Sequence, residues 1–343
     1  MILAVLALVG CDKQRDLYVT AGPMIYVEGD WIPSLGKDDM SMDATAVLFN
    51  ASGPYAKDYF FNPDNVTVPV DQGMYDVLIF NGLMYSEEDT HVSNVFFRGT
   101  DDISTFEAVA REAAPNKRLS KAESGYIASN DMDIITSAFS QQGVTGDNAY
   151  YLKYQNGKNG FDIPDSYIEA ELYMTPMALS YECQVIVTIK NITSAYAANA
   201  AIYGFVGSAY MASRRPTHFY VTHQFNLNSK KMFPGSSTTG TIESPVFVTF
   251  GPPVDAPENN YEIYISIVLV DGSELERTID VTDQVNPFIE KIRDNLEGKG
   301  DPEYNPVIAV ELDLELPIVD PIKGSIGVGD WDDDEIIKVP ITL

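Results

Sequence analysis

Ten consecutive residues, Tyr181 to Lys190, read YECQVIVTIK. Tyr181, Cys183, Val185, Val187 and Ile189 occupy every second position, and a period of two puts them on one face of a β-strand. The same signature recurs along the chain. "ATAVLFN" (44–50), "NVTVPV" (65–70) and "YDVLIFN" (75–81) are short runs rich in β-branched and aromatic residues, bounded by Gly, Pro, Asn and Asp. "VTVPVDQGMYDVLIFN" reads as two strands joined through an Asp71-Gln72-Gly73 turn. "YEIYISIVLVDGSELERTIDVT" reads as a hairpin about Asp271-Gly272, a dipeptide that accepts the positive φ of tight turns. In "VIAVELDLELPIV" (307–319), Leu312, Leu314, Leu316 and Ile318 alternate with Glu311, Asp313 and Glu315, giving one buried and one acidic face.

Helical signals are few. "STFEAVAREA" carries Ser104 three residues before Glu107, a capping-box pattern that predicts a helix over 104–113. "PFIEKIRDNL" (287–296) has Pro287 placed for a first turn, with Phe288, Ile292 and Leu296 along one stripe. Many short strands with one or two short helices imply an all-β chain of packed sandwiches. Gly, Asn and Pro concentrate in "YQNGKNGFDIPD" (154–165), which divides the chain into domains at 17–158 and 161–343. About 330 residues suit two domains better than one.

The chain is 45% hydrophobic and 11% aromatic, enough to bury proper cores, and its formal charge is −28. The acidity is spread over both halves, so it reads as a solvated surface that repels nucleic acid, whose binding needs clustered Lys and Arg. The apolar run Ile2 to Val9 ends at Gly10-Cys11 and is followed by "DKQRD". A bilayer-spanning helix needs roughly 20 apolar residues, so this run fits a secretory signal (residues 1–11) and not a permanent anchor. Leu8-Val9-Gly10-Cys11 resembles the lipobox of bacterial lipoproteins, which implies a diacylglyceryl group on the Cys11 sulfur. Cys183, on the apolar face of its strand, is read as a small core residue.

No catalytic constellation stands out, and no cofactor is expected. His218 and His223 lie five apart, which on a strand points them to opposite faces and away from one metal ion. Asp332, Asp333 and Asp334 in "DWDDDE" are weak calcium candidates, because adjacent acids point several ways and the spaced pattern of an EF-hand loop is missing. "KGSIGVGD" lacks the Lys-Ser/Thr of a phosphate loop, and Gly207-Ser208 lacks the second glycine of a nucleophile elbow. At the C-terminus, Ile337, Val339, Ile341 and Leu343 alternate with Lys338, Pro340 and Thr342. Pro340 cannot donate to a ladder, so this is either a closing edge strand or a segment that adds to a neighbour's sheet.

The lipobox, "VTVPVDQGMYDVLIFN", "VFFRGTDDISTFEA", "YMTPMALSYECQVIVTIKNI", "NAAIYGFVGSAYMASRRPT" and "VLVDGSELERTIDVTDQV" follow one another in an order that resembles the fimbrillin-like lipoproteins of Bacteroidota. The resemblance implies two tandem transthyretin-like, Ig-like β-sandwich domains and outer-membrane, cell-surface placement through lipid on Cys11. It also implies a non-enzymatic role in a type V pilus, with other pilus subunits or surface ligands as partners. Subunits of such pili are cut after an arginine, which brings forward Arg15, Arg111 and Arg118, the latter two in an apparently exposed segment, "REAAPNKRLSKAESG". A monomeric outer-membrane lipoprotein that binds glycans is the alternative, its 20 Tyr and 2 Trp supplying stacking surfaces. Mass spectrometry of the mature N-terminal peptide, recovered from membranes of a processing host, is expected to show a diacylated chain beginning at Cys11; an unlipidated peptide retaining Met1 would refute the lipobox.

Overall fold

The computed structural model describes residues 18–21, 23–31, 43–50, 56–61, 65–90, 93–119, 125–146, 150–155, 160–161, 168–256, 259–297, 299 and 307–321. The predominant element is the β-strand, and among the described residues the strands form six sheets with a single α-helix, Thr282–Leu296.

In the N-terminal half, a five-stranded sheet runs in the order Met177–Ala178, Thr136–Val144, Gly73–Asn81, Ala44–Asn50, Ala56–Phe61. A three-stranded sheet, Ile168–Met174, Met24–Gly29, Asn65–Pro69, faces it across a core of Ile25, Val27, Trp31, Ala46, Leu48, Val68, Val77 and Ile79. The opposite face of the five-stranded sheet is also covered. Val47, Phe49, Leu78 and Phe80 pack there against Phe97, Phe106 and Ala108 of a small sheet formed by Val95–Arg98, Glu107–Ala110 and Ser208–Tyr210. Two covered faces explain why "ATAVLFN" is buried almost throughout and shows no polar-out alternation.

In the C-terminal half, Tyr181–Lys190 is the centre of a sheet. Thr239–Glu243 and Phe247–Thr249 pair antiparallel with it on one side, and Ile308–Glu315 pairs parallel on the other. A second sheet, in the order Tyr220–Asn226, Ala195–Val206, Glu262–Leu269, Glu274–Asp280, closes over it. Val185, Val187, Ile202, Ile263, Ile265 and Val310 form the core, and the helix adds Val285, Ile289 and Ile292.

The alternation at 181–190 holds, with every odd residue buried. The Asp271-Gly272 hairpin forms, Gly272 having φ 82°. Other expectations change. Asn65–Pro69 and Gly73–Asn81 are strands, but they do not pair with each other. The first joins Met24–Gly29 and the second Ala44–Asn50 and Thr136–Val144, so residues 70–72 carry the chain between two sheets. The helix predicted over 104–113 is absent. Ser104 bonds back to Asp102 through its N–H and hydroxyl, Glu107 pairs with Arg98 at 2.6 Å, and Phe106, Ala108 and Ala110 are buried at strand spacing. Core burial outweighs the local capping signal there. The second helix starts five residues before Pro287, which sits inside it and removes the bond to the Asp283 carbonyl. The buried stripe of 307–319 ends at Leu316, because Ile318 is 84% exposed.

The two halves are sewn together. Strands Ile168–Met174 and Met177–Ala178 pair with N-terminal strands, parallel to Met24–Gly29 and antiparallel to Thr136–Val144 respectively. His223, 1% exposed, lies at this junction, with Nδ1 3.0 Å from Asn130 Oδ1 and Nε2 3.0 Å from Thr249 Oγ1. Asn130 Nδ2 donates to the Gln224 carbonyl, which leaves Oδ1 to accept Nδ1–H, and in the neutral ring Nε2 then accepts the Thr249 hydroxyl proton. Burial lowers the His223 pKa from 6.5 to about 3.

Two outcomes follow from this packing. Phe80 is fully buried against Phe97 and Phe106, at centroid distances of 4.9 and 5.9 Å, so Phe80→Ala is expected to cost ~3–5 kcal/mol in denaturant unfolding. Unfolded His223 takes up a proton below its ordinary pKa while the folded residue resists down to about 3. Its stabilisation is therefore complete above 6.5 and lost as pH falls toward 3, by up to about 1.4 kcal/mol per pH unit. A His223→Gln variant should have a flatter stability–pH curve across that window; an unchanged slope would show that the ring is protonated in the fold.

Candidate functional site

The surface best suited to contact another chain is the edge of the C-terminal sheet. Ile308–Glu315 pairs with Tyr181–Lys190 along its whole length, and no other described strand lies on its far side. Glu311 turns its peptide groups outward, where the Gln284 side chain meets both of them. Gln284 Nε2 donates to the Glu311 carbonyl at 2.8 Å, and the Glu311 N–H donates to Gln284 Oε1 at 2.8 Å. One amide thus stands in for a neighbouring strand at a single position of the edge. Gln284 reaches it because Val285, the next residue of the helix, is buried in the core and fixes that turn. Beside the amide opens a crevice of about 490 Å³ lined by Thr188, Gln284, Ala309, Glu311, Leu312 and Asp313. Its Glu311 and Asp313 carboxylates are exposed. Among the described residues, no group of three or more His, Cys, Asp or Glu converges to hold a metal.

Several residues singled out in the sequence lie outside the described residues: Cys11, Arg15, the acids Asp332, Asp333 and Asp334, and the terminal Ile337, Val339, Ile341 and Leu343. Arg111 and Arg118 are described; Glu112, Ala114, Pro115 and Lys117 between them are exposed, while each arginine is itself at least half-buried. Arg111 is 9% exposed, and its guanidinium fills a cage of backbone carbonyls. Nε donates to Ser93 at 2.7 Å, Nη1 to Glu87 at 2.8 Å, and Nη2 to Ser86 at 2.7 Å and Asp89 at 3.1 Å. The Phe96 ring lies against it, 5.1 Å from centroid to the guanidinium carbon. Arg111 therefore ties residues 86–89 to Ser93. Arg118 is half-buried on a single 3-10 turn, Lys117–Leu119. That turn is docked by Leu119 against Ala201 and by Asn116, whose N–H donates to Gln224 Oε1 at 2.8 Å.

The remaining candidates are structural. Cys183 is fully buried, and burial pushes its thiol pKa well above the ordinary value, which suppresses thiolate chemistry. His218 is exposed while His223 is buried, so the two do not converge. Ser208 is buried and shares a hydrogen bond of 2.7 Å with the Thr217 hydroxyl. Gln284 was missed from sequence. Its position inside the first turns of the helix was hidden because the helix was expected to begin at Pro287.

No family model matches the chain, and no curated protein matches it. Solved structures share its fold. A candidate adhesin of Bacteroides ovatus superposes with a TM-score of 0.56 at 13% identity, over 87% of this chain and 94% of that one. A second candidate adhesin, from Bacteroides thetaiotaomicron, gives 0.52 at 8% identity, over 86% and 92%. The chain thus has the multi-sheet β architecture found in these Bacteroides proteins.

Proposed function

We propose that the chain is a non-enzymatic, lipid-anchored cell-surface protein of the fimbrillin-like type, a structural or adhesive component of a pilus that works by β-strand addition. The observation that carries this reading is the fold shared, nearly end to end, with candidate adhesins of two Bacteroides species. The lipobox at Cys11 supports outer-membrane placement, and the alternating segment Ile337 to Leu343 supports strand addition. Other pilus subunits or surface ligands are then its partners. Two transthyretin-like sandwiches, an N-terminal unit of 17–158 and a C-terminal unit of 161–343, accommodate the cores around Val77 and Val185, with a third core around Phe106 shared by both units. Strands 168–174 and 177–178 then belong to the C-terminal unit in sequence and to the N-terminal sheets by pairing. Arg15, Arg111 and Arg118 remain the processing candidates. For the last two, the carbonyl cage and the docked turn favour cleavage before folding is complete.

A second reading, a monomeric surface lipoprotein that binds glycans, is favoured by one observation. Tyr173 leaves 68% of its surface exposed on a sheet face. Deleting 331–343 separates the two. Polymer formation in a processing host should vanish while protease-resistant N-terminal strands persist; undiminished polymer would refute strand addition by this segment.

A further inference from the structure

We propose that the outer face of the sheet formed by Ile168–Met174, Met24–Gly29 and Asn65–Pro69 is a saccharide-binding platform selective for neutral sugars. The claim rests on register. Ile168–Met174 runs parallel to Met24–Gly29 with Glu171 opposite Tyr26 and Tyr173 opposite Glu28. On the other side, Thr67 lies opposite Tyr26 and Asn65 opposite Glu28. The inward residues of these strands, Ile25, Val27, Val68, Ala170 and Leu172, are buried in the core, so the alternate residues share the outer face. Two rows result, Thr67-Tyr26-Glu171 and Asn65-Glu28-Tyr173. The tyrosines occupy one diagonal of a square and the glutamates the other.

The side chains are held in place. Tyr26 donates its hydroxyl to Glu28 at 2.5 Å and Tyr173 donates to Glu171 at 2.9 Å. The two rings lie 6.1 Å apart, centroid to centroid, at an interplanar angle of 58°. The Glu28 hydrogen bond raises the Tyr26 pKa to about 12, so the phenol stays a donor at any physiological pH. Stability gives little reason for this order. Tyr173 is 68% exposed, and fixing two exposed side chains costs rotamer entropy while burying almost nothing.

The chemistry selects the ligand class. Aromatic faces take the apolar C–H face of a pyranose, and carboxylates with free lone pairs accept sugar hydroxyls, while Asn65 and Thr67 both donate and accept. Two glutamates in a chain of net charge −28 repel uronates, sialylated and sulfated sugars. An open, preorganised face on three strands suits an extended oligosaccharide better than a small enclosed ligand.

The inference rests on the surface-adhesin reading for its biological setting, and the test keeps the two apart. In one arm, the purified full-length chain is titrated with neutral manno-, gluco- and xylo-oligosaccharides and with oligo-uronates. At least one neutral series should bind, the uronates at least tenfold more weakly. Tyr173→Ala, which removes a largely exposed ring with its contact to Tyr26 and its bond to Glu171, should lower affinity about tenfold. Glu171→Gln keeps the shape and a hydroxyl acceptor while removing charge, and should narrow the neutral-over-uronate preference. No neutral binding, equal uronate binding, or an unchanged Tyr173→Ala affinity would each overturn the platform. In the other arm, cells displaying the chain are applied to a surface coated with the bound sugar. Adhesion lost in Tyr173→Ala supports both ideas. Binding in solution by a chain that never reaches the surface refutes the surface reading alone.

Discussion

The five-stranded sheet of Ala44–Asn50, Gly73–Asn81 and Thr136–Val144 is covered on both faces, and the architecture depends on that double burial. One face completes the N-terminal sandwich. The other meets Phe106, Leu179, Val206, Val221 and Phe250, residues drawn from both halves of the chain. Each residue buried here contributes roughly 1.5–3 kcal/mol relative to exposure, so the central layer outweighs the local preferences of what packs on it. That is why Glu107–Ala110 is drawn into a strand against a capping signal, and why Phe106 meets Phe80 and Phe97 edge to face.

Strands with one wet face were legible in the sequence, because period two survives wherever water covers one side. Tyr181–Lys190, Ile308–Glu315 and the hairpin at Asp271-Gly272 are such cases. What stayed hidden was partnership. Nothing local in "VPVDQGMY" says that the strands on either side of it enter different sheets, since each register is decided by a partner elsewhere in the chain. The same limit applied to the sites. Tyr26-Val27-Glu28 and Glu171-Leu172-Tyr173 show outward tyrosines and glutamates as plain alternation, but only the parallel pairing brings the two motifs together. Gln284 was obscured by Pro287, whose usual place in a first turn drew the expected helix start past it.

Two devices contrast in how they treat backbone polar groups. Arg111 gathers the carbonyls of Ser86, Glu87, Asp89 and Ser93 around one cation, turning an irregular loop into a fixed one. Charge-assisted bonds of this kind are among the stronger ones available to a loop. Gln284 instead answers one N–H and one C=O of an edge that no other described strand pairs. The first ties an acidic, exposed stretch down through its carbonyls, and the second removes one rung from any foreign ladder without burying charge.

The parallel pairing of Ile308–Glu315 with Tyr181–Lys190 sets a schedule. The first strand of the C-terminal core waits for the last described one, and Asn191 reaches Leu316 across 125 residues to close their shared corner. A chain that emerges N-terminus first therefore cannot finish this core until nearly all of it has been delivered. Contacts so distant in sequence slow folding. The strand order that makes the sandwich durable once formed also delays its formation until the last described strand is in place.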